Sequence, residues 1–231
     1  YDGTAYHGWQ FQPTEVTVQG KLQEVLGNLL GEEILIAGAS RTDAGVHARG
    51  QAATFTTATA IPAGKLPIVA NIELPPDIRI VAARDVDESF NPRFDALGKH
   101  YRYTFFLGEI DDVFSGRFVS RVRGSLDREA MSEAAACLVG EHDFACLQNK
   151  TDDQSATSVR HLFHVGLSCP EESLVQIDVV GNSCADALAQ NPSLETDLYW
   201  IDPDEIGGAS PFKVLCDMET KGGGWTQVAT Y

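Results

Sequence analysis

Long apolar runs are missing from this chain. Stretches such as residues 34–37 fall far short of the roughly 20 residues that cross a bilayer, so no segment is expected to span a membrane and a soluble protein is expected. Positive charge is scarce: seventeen Lys and Arg face thirty-three Asp and Glu, a net charge of −16. That balance argues against a protein that coats nucleic acid indiscriminately, while leaving room for a local basic cleft. Only five cysteines occur and none stands in a Cys-x-x-Cys pair, which excludes a zinc knuckle or a dithiol redox motif. Neither a short-period repeat nor a low-complexity tract is found. What remains is a globular composition, 43% hydrophobic and 22% charged over 231 residues, enough for one large domain or two to three small ones. The chain opens on Tyr1 rather than Met, so the possibility of a targeting segment upstream stays open.

Cations are concentrated toward the front. Residues 1–182 hold fifteen of them and residues 183–231 only two. Several lie beside aromatics or an unusual polar loop: Arg41 and Arg49, Arg93 next to Phe94, and Lys99, His100 and Arg102 around Tyr101. Such interleaving suits RNA, in which guanidinium groups meet phosphates and rings stack on bases, and equally suits a solvated strand face. Cys137, Cys146 and Cys169 are expected to be reduced, partly buried thiols. His161 and His164, three apart on an expected strand, point to opposite faces, so no metal site is expected.

Periodicity divides the first 182 residues into two mixed units. Thr17 can cap a helix whose Val18, Leu22, Val25, Leu26, Leu29 and Leu30 recur at three- and four-residue spacing before Gly31. A short buried strand over 34–37, a polar loop over 38–50 and a strand over 51–57 follow. A weaker helix is predicted over 63–72, closed by Leu74-Pro75-Pro76, and a strand over 78–83. The second unit, starting near Phe90, has a strand over 99–107 with Tyr101, Tyr103, Phe105 and Leu107 on one face. A helix capped by Asp127 and stopped by Gly140, then strands over 159–167 and 174–180, complete it on one sheet. The fold class is therefore α+β, divided as 1–89, 90–182 and a Cys- and Gly-rich segment, 183–231.

The stretch Gly38-Ala39-Ser40-Arg41-Thr42-Asp43-Ala44-Gly45-Val46-His47-Ala48 carries the chemistry. A carboxylate sits on a tight loop between two strands with a fixed cation two residues away, which would keep Asp43 ionised and fit to act as nucleophile or base. Asp43 equally suits a turn cap paired with Arg41 on the surface.

The run Arg41-Thr42-Asp43-Ala44-Gly45-Val46-His47-Ala48 resembles the signature loop of the TruA family of tRNA pseudouridine synthases. Tyr1-Asp2-Gly3-Thr4, Gly8-Trp9-Gln10, Thr17-Val18-Gln19-Gly20, Gly50-Gln51, Leu74-Pro75-Pro76-Asp77-Ile78, Phe94, Lys99-His100-Tyr101-Arg102-Tyr103 and Gly140-Glu141-His142-Asp143-Phe144 are similar to further landmarks in the same order, covering residues 1 to about 182. The resemblance implies isomerisation of uridine to pseudouridine in the anticodon arm of tRNA, with no cofactor. It implies a pseudouridine synthase fold of two related sheet-and-helix halves around a cleft, and a cytoplasmic homodimer that clasps tRNA. Asp43 stands at the position of the catalytic aspartate and Tyr101 at that of the base-contacting tyrosine, with core packing its other reading. Arg41 would displace or hold the target nucleotide, or else bridge to Asp43.

The match stops near Asn182. The family's strand there leads into a helix with a Met-Val-Arg triplet whose Arg pairs with the catalytic aspartate; this chain continues Ser183-Cys184-Ala185-Asp186 and has no Arg after Arg160. Losing that partner is expected to raise the pKa of a partly buried carboxylate and disturb its aim, which leaves a catalytically impaired RNA-binding remnant as an alternative. The tail has a likeness of its own: Cys184, Tyr199-Trp200-Ile201-Asp202-Pro203, Pro211-Phe212-Lys213-Val214, Cys216-Asp217-Met218 and Gly222-Gly223-Gly224-Trp225-Thr226 resemble the opening of a fibrinogen-like recognition domain. That resemblance implies a Cys184–Cys216 disulfide and a buried Gly-Gly-Gly-Trp turn. Disulfides and tRNA belong to different compartments, so a fused or misassembled frame, or a chimera, is expected before a bifunctional protein, and a secreted recognition module stands as a third reading.

Overall fold

The computed structural model describes residues 1–96, 98–147 and 158–181, together with the backbone of 197–201 and 212–216. Helix α1 spans Val18–Leu30, with the Thr17 hydroxyl accepting from the Gly20 amide at its start and Gly31 in the left-handed conformation at its end. Val18, Leu22, Val25 and Leu26 form its buried stripe, as the periodicity predicts. They pack with Tyr6, Trp9, Ile34, Ile36, Leu66, Ala70, Leu74 and Ile78 into the main core. Each such side chain removed from water contributes about 1.5–3 kcal/mol.

The strands of the first unit are shorter than predicted. Only β1 (Ala37–Gly38) and β2 (Ala53–Thr54) pair, as an antiparallel ladder. Side chains of α1 occupy the backbone just before it: Gln19 Nε2 donates to Ile36 O at 2.7 Å, and the Ile36 amide donates to Gln23 Oε1 at 3.3 Å. With those groups already satisfied, residue 36 has nothing to offer a ladder. Residues 34–37 are not buried throughout; Ile34 and Ile36 face the core while Leu35 is 72% exposed.

A 3₁₀ turn at Ala63–Lys65 runs into helix α2 (Leu66–Glu73), as expected. Residues 78–83 form no strand. The Asn71 side chain brackets Ile80 instead, donating to its carbonyl at 2.8 Å and accepting from its amide at 2.9 Å, which replaces a ladder partner.

The second unit is one five-stranded sheet in the order β4-β3-β7-β6-β5. β3 (Lys99–Phe106) and β6 (Val159–Ser168) run antiparallel on either side of β7 (Leu174–Gly181), β5 (Gly140–Asp143) edges β6, and β4 (Ser120–Arg121) lies parallel to β3. Helix α3 (Arg128–Ala136) is capped by the Asp127 carboxylate, which accepts from the Ala130 amide. Gly140 does not stop it. The helix ends at Ala136, and Gly140, at φ 112°, turns the chain into β5. Cys137, Cys146 and Cys169 are free but exposed rather than partly buried, since they stand at a helix end, in the 3₁₀ turn Ala145–Leu147 and in a loop. β8 (Asp197–Ile201) and β9 (Phe212–Cys216) pair antiparallel, while Cys184, and with it the expected Cys184–Cys216 bridge, and the Gly-Gly-Gly-Trp stretch lie outside the described residues. Among the described residues no helix is long and apolar enough to cross a membrane.

Candidate active site

The polar loop of residues 38–50 is held by the residues that precede α1. The Trp9 amide donates to Thr42 O at 3.0 Å, the Gly45 amide to Tyr6 O at 3.1 Å and the Ala48 amide to Tyr1 O at 3.1 Å. Two glycines make this approach possible. A Cβ at Gly3 would stand 1.9 Å from Val46 O, and one at Gly8, whose φ is 84°, would stand 2.6 Å from Thr42 O. Gly45 turns the loop at φ 80°. Gln51 anchors the loop's entrance, its Nε2 donating to Ser40 O at 2.6 Å. Asp77 supports the clamp from below, accepting from the Tyr6 hydroxyl at 2.7 Å and, through its carbonyl, from the Asp2 amide at 2.8 Å. Dispersed sequence landmarks thus converge on one loop.

Within it Thr42 is buried and Arg41 and Asp43 are exposed on either side. Arg41 and Asp43 form no ion pair, so the surface pairing that the sequence leaves open is not made. Nor is Asp43 partly buried as expected, because the loop's buried contacts fall to Thr42 and Ala48. Its carboxylate takes part in no ion pair among the described residues and stands open to the cleft.

That cleft, about 470 Å³, is lined by Arg41, Asp43 and His47 from the loop, Tyr101 and Arg102 from β3, and Arg117 from the facing 3₁₀ turn, among others. All three sequence-predicted residues, Asp43, Tyr101 and Arg41, come together here. Burial raises the pKa of the Tyr101 phenol, the neighbouring Tyr103 adding to this, while a hydrogen bond from Ser40 and the Arg160 charge oppose it. The phenol is therefore neutral at physiological pH, a flat aromatic surface with a polar edge tethered to the loop. Tyr103, 56% exposed, is not packed in a core.

β3 is fixed through the residues on either side of Tyr101. His100, 1% exposed, places Nε2 2.5 Å from Asp178 Oδ1, and Arg102 Nε donates to the same oxygen at 2.8 Å. Burial works to raise the pKa of Asp178, but these two hydrogen bonds and the Arg102 charge outweigh it and hold the carboxyl below the usual range. Because 100 and 102 flank 101 on a strand, pinning them orients Tyr101 toward the cleft. Ser40, His47 and Asp178 were not singled out by sequence reasoning. Ser40 and His47 lie inside the polar loop of residues 38–50 and could have been; Arg117 has no local signal, since its partner Asp2 lies 115 residues away.

Comparison with known proteins agrees with this geometry. A family profile described as tRNA pseudouridine synthase matches residues 1–95, the loop and its clamp. The fold is thus that of the pseudouridine synthase class. The chain is 46% identical over 182 residues to tRNA pseudouridine synthase A of Citrifermentans bemidjiense, covering 79% of this chain and 72% of that protein. It is 43% identical to the Geobacter sp. M21 protein of the same name over 79% and 73% of the two chains, and 49% identical over 144 residues to that of Brevibacillus brevis, covering 62% and 59%. The chain belongs to the TruA family of tRNA pseudouridine synthases. A second profile, described as the C-terminal globular domain of fibrinogen beta and gamma chains, matches residues 180–230.

Proposed function

We propose that this chain isomerises uridine to pseudouridine in the anticodon arm of tRNA, with Asp43 as the catalytic carboxylate. The observation that carries the reading is the convergence of Asp43, Arg41 and Tyr101 on one cleft of nucleotide size. The bond from C1′ to N1 breaks, the uracil turns within the cleft, and C1′ bonds to C5. N1 gains a proton and C5 loses one, so atoms balance without a cofactor. Tyr101 stacks on the flipped uracil and excludes water from it. Arg41 holds the target nucleotide, and exposed basic residues outside the ion pairs, Arg49 and Arg93 among them, hold backbone phosphates. A cytoplasmic homodimer around tRNA belongs to the same reading and rests on family membership.

A second reading, an RNA-binding chain without turnover, is favoured by one observation: Asp43 has no cationic partner among the described residues. Release of tritium from 5-tritiated uridine in unmodified tRNA separates the two. The full chain should release label and Asp43→Ala should not, while both bind tRNA. Release by Asp43→Ala would refute the catalytic assignment. Binding without release by the parent would favour the second reading.

A further inference from the structure

The cleft has two walls from distant parts of the chain, and a small polar cluster joins them at the mouth. Arg117, on the 3₁₀ turn Gly116–Phe118, donates from Nη1 to Asp2 Oδ2 at 2.9 Å. Its carbonyl oxygen lies 3.1 Å from His47 Nε2. A carbonyl only accepts, so Nε2 carries the imidazole proton in this contact. On the other side of the ring, Nδ1 stands 3.1 Å from the Gly3 amide, from which a neutral ring accepts, and 3.0 Å from Asp2 Oδ1, to which a doubly protonated ring donates. Asp2 is further held by the Thr4 hydroxyl and amide, at 2.6 and 3.0 Å. The His47 ring also meets Phe118 edge-on, with centroids 4.8 Å apart.

His47 is four residues beyond Asp43 on the same clamped loop, and Gly3 is the residue on which Val46 rests. Arg117 and Phe118 continue through Val119 into β4, which pairs with the end of β3, the strand of Tyr101. The contacts therefore tie the loop bearing Asp43 to the sheet bearing Tyr101.

We propose that Asp2, His47 and Arg117 form a latch that sets the separation of the two cleft walls, making Arg117 and Asp2 positioning residues for the proposed isomerisation. The inference rests on that function for its catalytic consequence and on geometry alone for the latch. A charge-assisted contact in which Arg117 is exposed and only Asp2 is largely covered is a weak source of stability, but it is well suited to fixing a geometry. Displacing a reacting group by about 1 Å costs on the order of 100-fold in rate.

The test is a double-mutant cycle on the full chain with Arg117→Gln, which keeps a polar side chain without the charge, and the isosteric Asp2→Asn. Two readouts are taken: tritium release, resolved into kcat and KM, and hydrogen exchange at the Gly45, Val46 and Ala48 amides. Each single variant should lower kcat by roughly 10- to 100-fold with little change in KM. The double variant should be no worse than the more affected single, and Arg117→Lys should recover part of kcat. Exchange at the three amides should rise several-fold in Arg117→Gln, although the substitution is some seventy residues away. Additive effects, a change in KM alone, which would make Arg117 a plain RNA contact, or unchanged exchange would overturn the latch. If the parent releases no tritium but exchange rises as described, the catalytic reading fails and the latch stands.

Discussion

Replacing Gly3 by Ala tests whether the signature loop is held by close backbone approach. The added Cβ would sit 1.9 Å from Val46 O and 2.6 Å from Val46 C, where contacts under 3.0 Å essentially never occur. Both are backbone atoms, so no rotamer change relieves the collision and the loop must retreat by about 1 Å. The Val46 amide donates to Asp43 O at 3.2 Å, so the displacement passes directly to Asp43. Overpacking of this kind costs about 1–3 kcal/mol, or a fall in Tm of roughly 2–4 °C per kcal/mol in a chain this size. A displacement of that size at the reacting group costs on the order of 100-fold in rate. Two controls separate collision from strain. Gly64→Ala, with no atom within 4 Å, should match the parent in both measurements. Gly45→Ala, also in open space but at φ 80°, should lose about 1–2 kcal/mol from backbone strain alone. Thermal unfolding by circular dichroism and tritium release from 5-tritiated uridine in tRNA read the series. Gly3→Ala with parental Tm and activity within about twofold of the parent would refute the close-approach argument.

Three further outcomes are expected. Tyr101→Phe should reduce tritium release less than Asp43→Ala does, because the ring that stacks is kept and only the phenol edge bonded to Ser40 is lost; equal loss would contradict a stacking role. Gln19→Leu should destabilise the chain by about 1–3 kcal/mol in urea titration, since it leaves Ile36 O and the Phe11 amide without the side-chain partners they have now, and an unchanged midpoint would show that water replaces them at no cost. The folded-state pKa of Asp178 is depressed, so its contribution is present above the usual carboxylate range and is lost as pH falls through the folded value. The stability gap between the parent and Asp178→Asn, about 1–3 kcal/mol at pH 7, should therefore narrow below about pH 4, and a gap independent of pH would rule out the ion cluster as its source.

Much of this protein was legible in the order of its residues because the information was local. The spacing of Val18, Leu22, Val25 and Leu26, with Thr17 and Gly31 at the ends, determines α1, since helix periodicity and capping depend on residues within a few positions. Alternation along residues 99–106 and 174–181 likewise determines two strands, and the run from Arg41 to Ala48, with the landmarks in order around it, resembles the family's. The strands over 34–37 and 78–83 were misread because Gln19, Gln23 and Asn71 take backbone groups that a ladder would need, a competition invisible to pattern. Only the tertiary structure decided why Gly3 and Gly8 must be glycine, that Asp43 is exposed and unpaired with Arg41, and that Tyr101 meets Ser40 of the polar loop. The same holds for Arg117, which reaches Asp2 across 115 residues. Periodicity records how each residue relates to its near neighbours and to water, whereas the separation and orientation of groups far apart in the chain are set by packing, which exists only once the chain has folded.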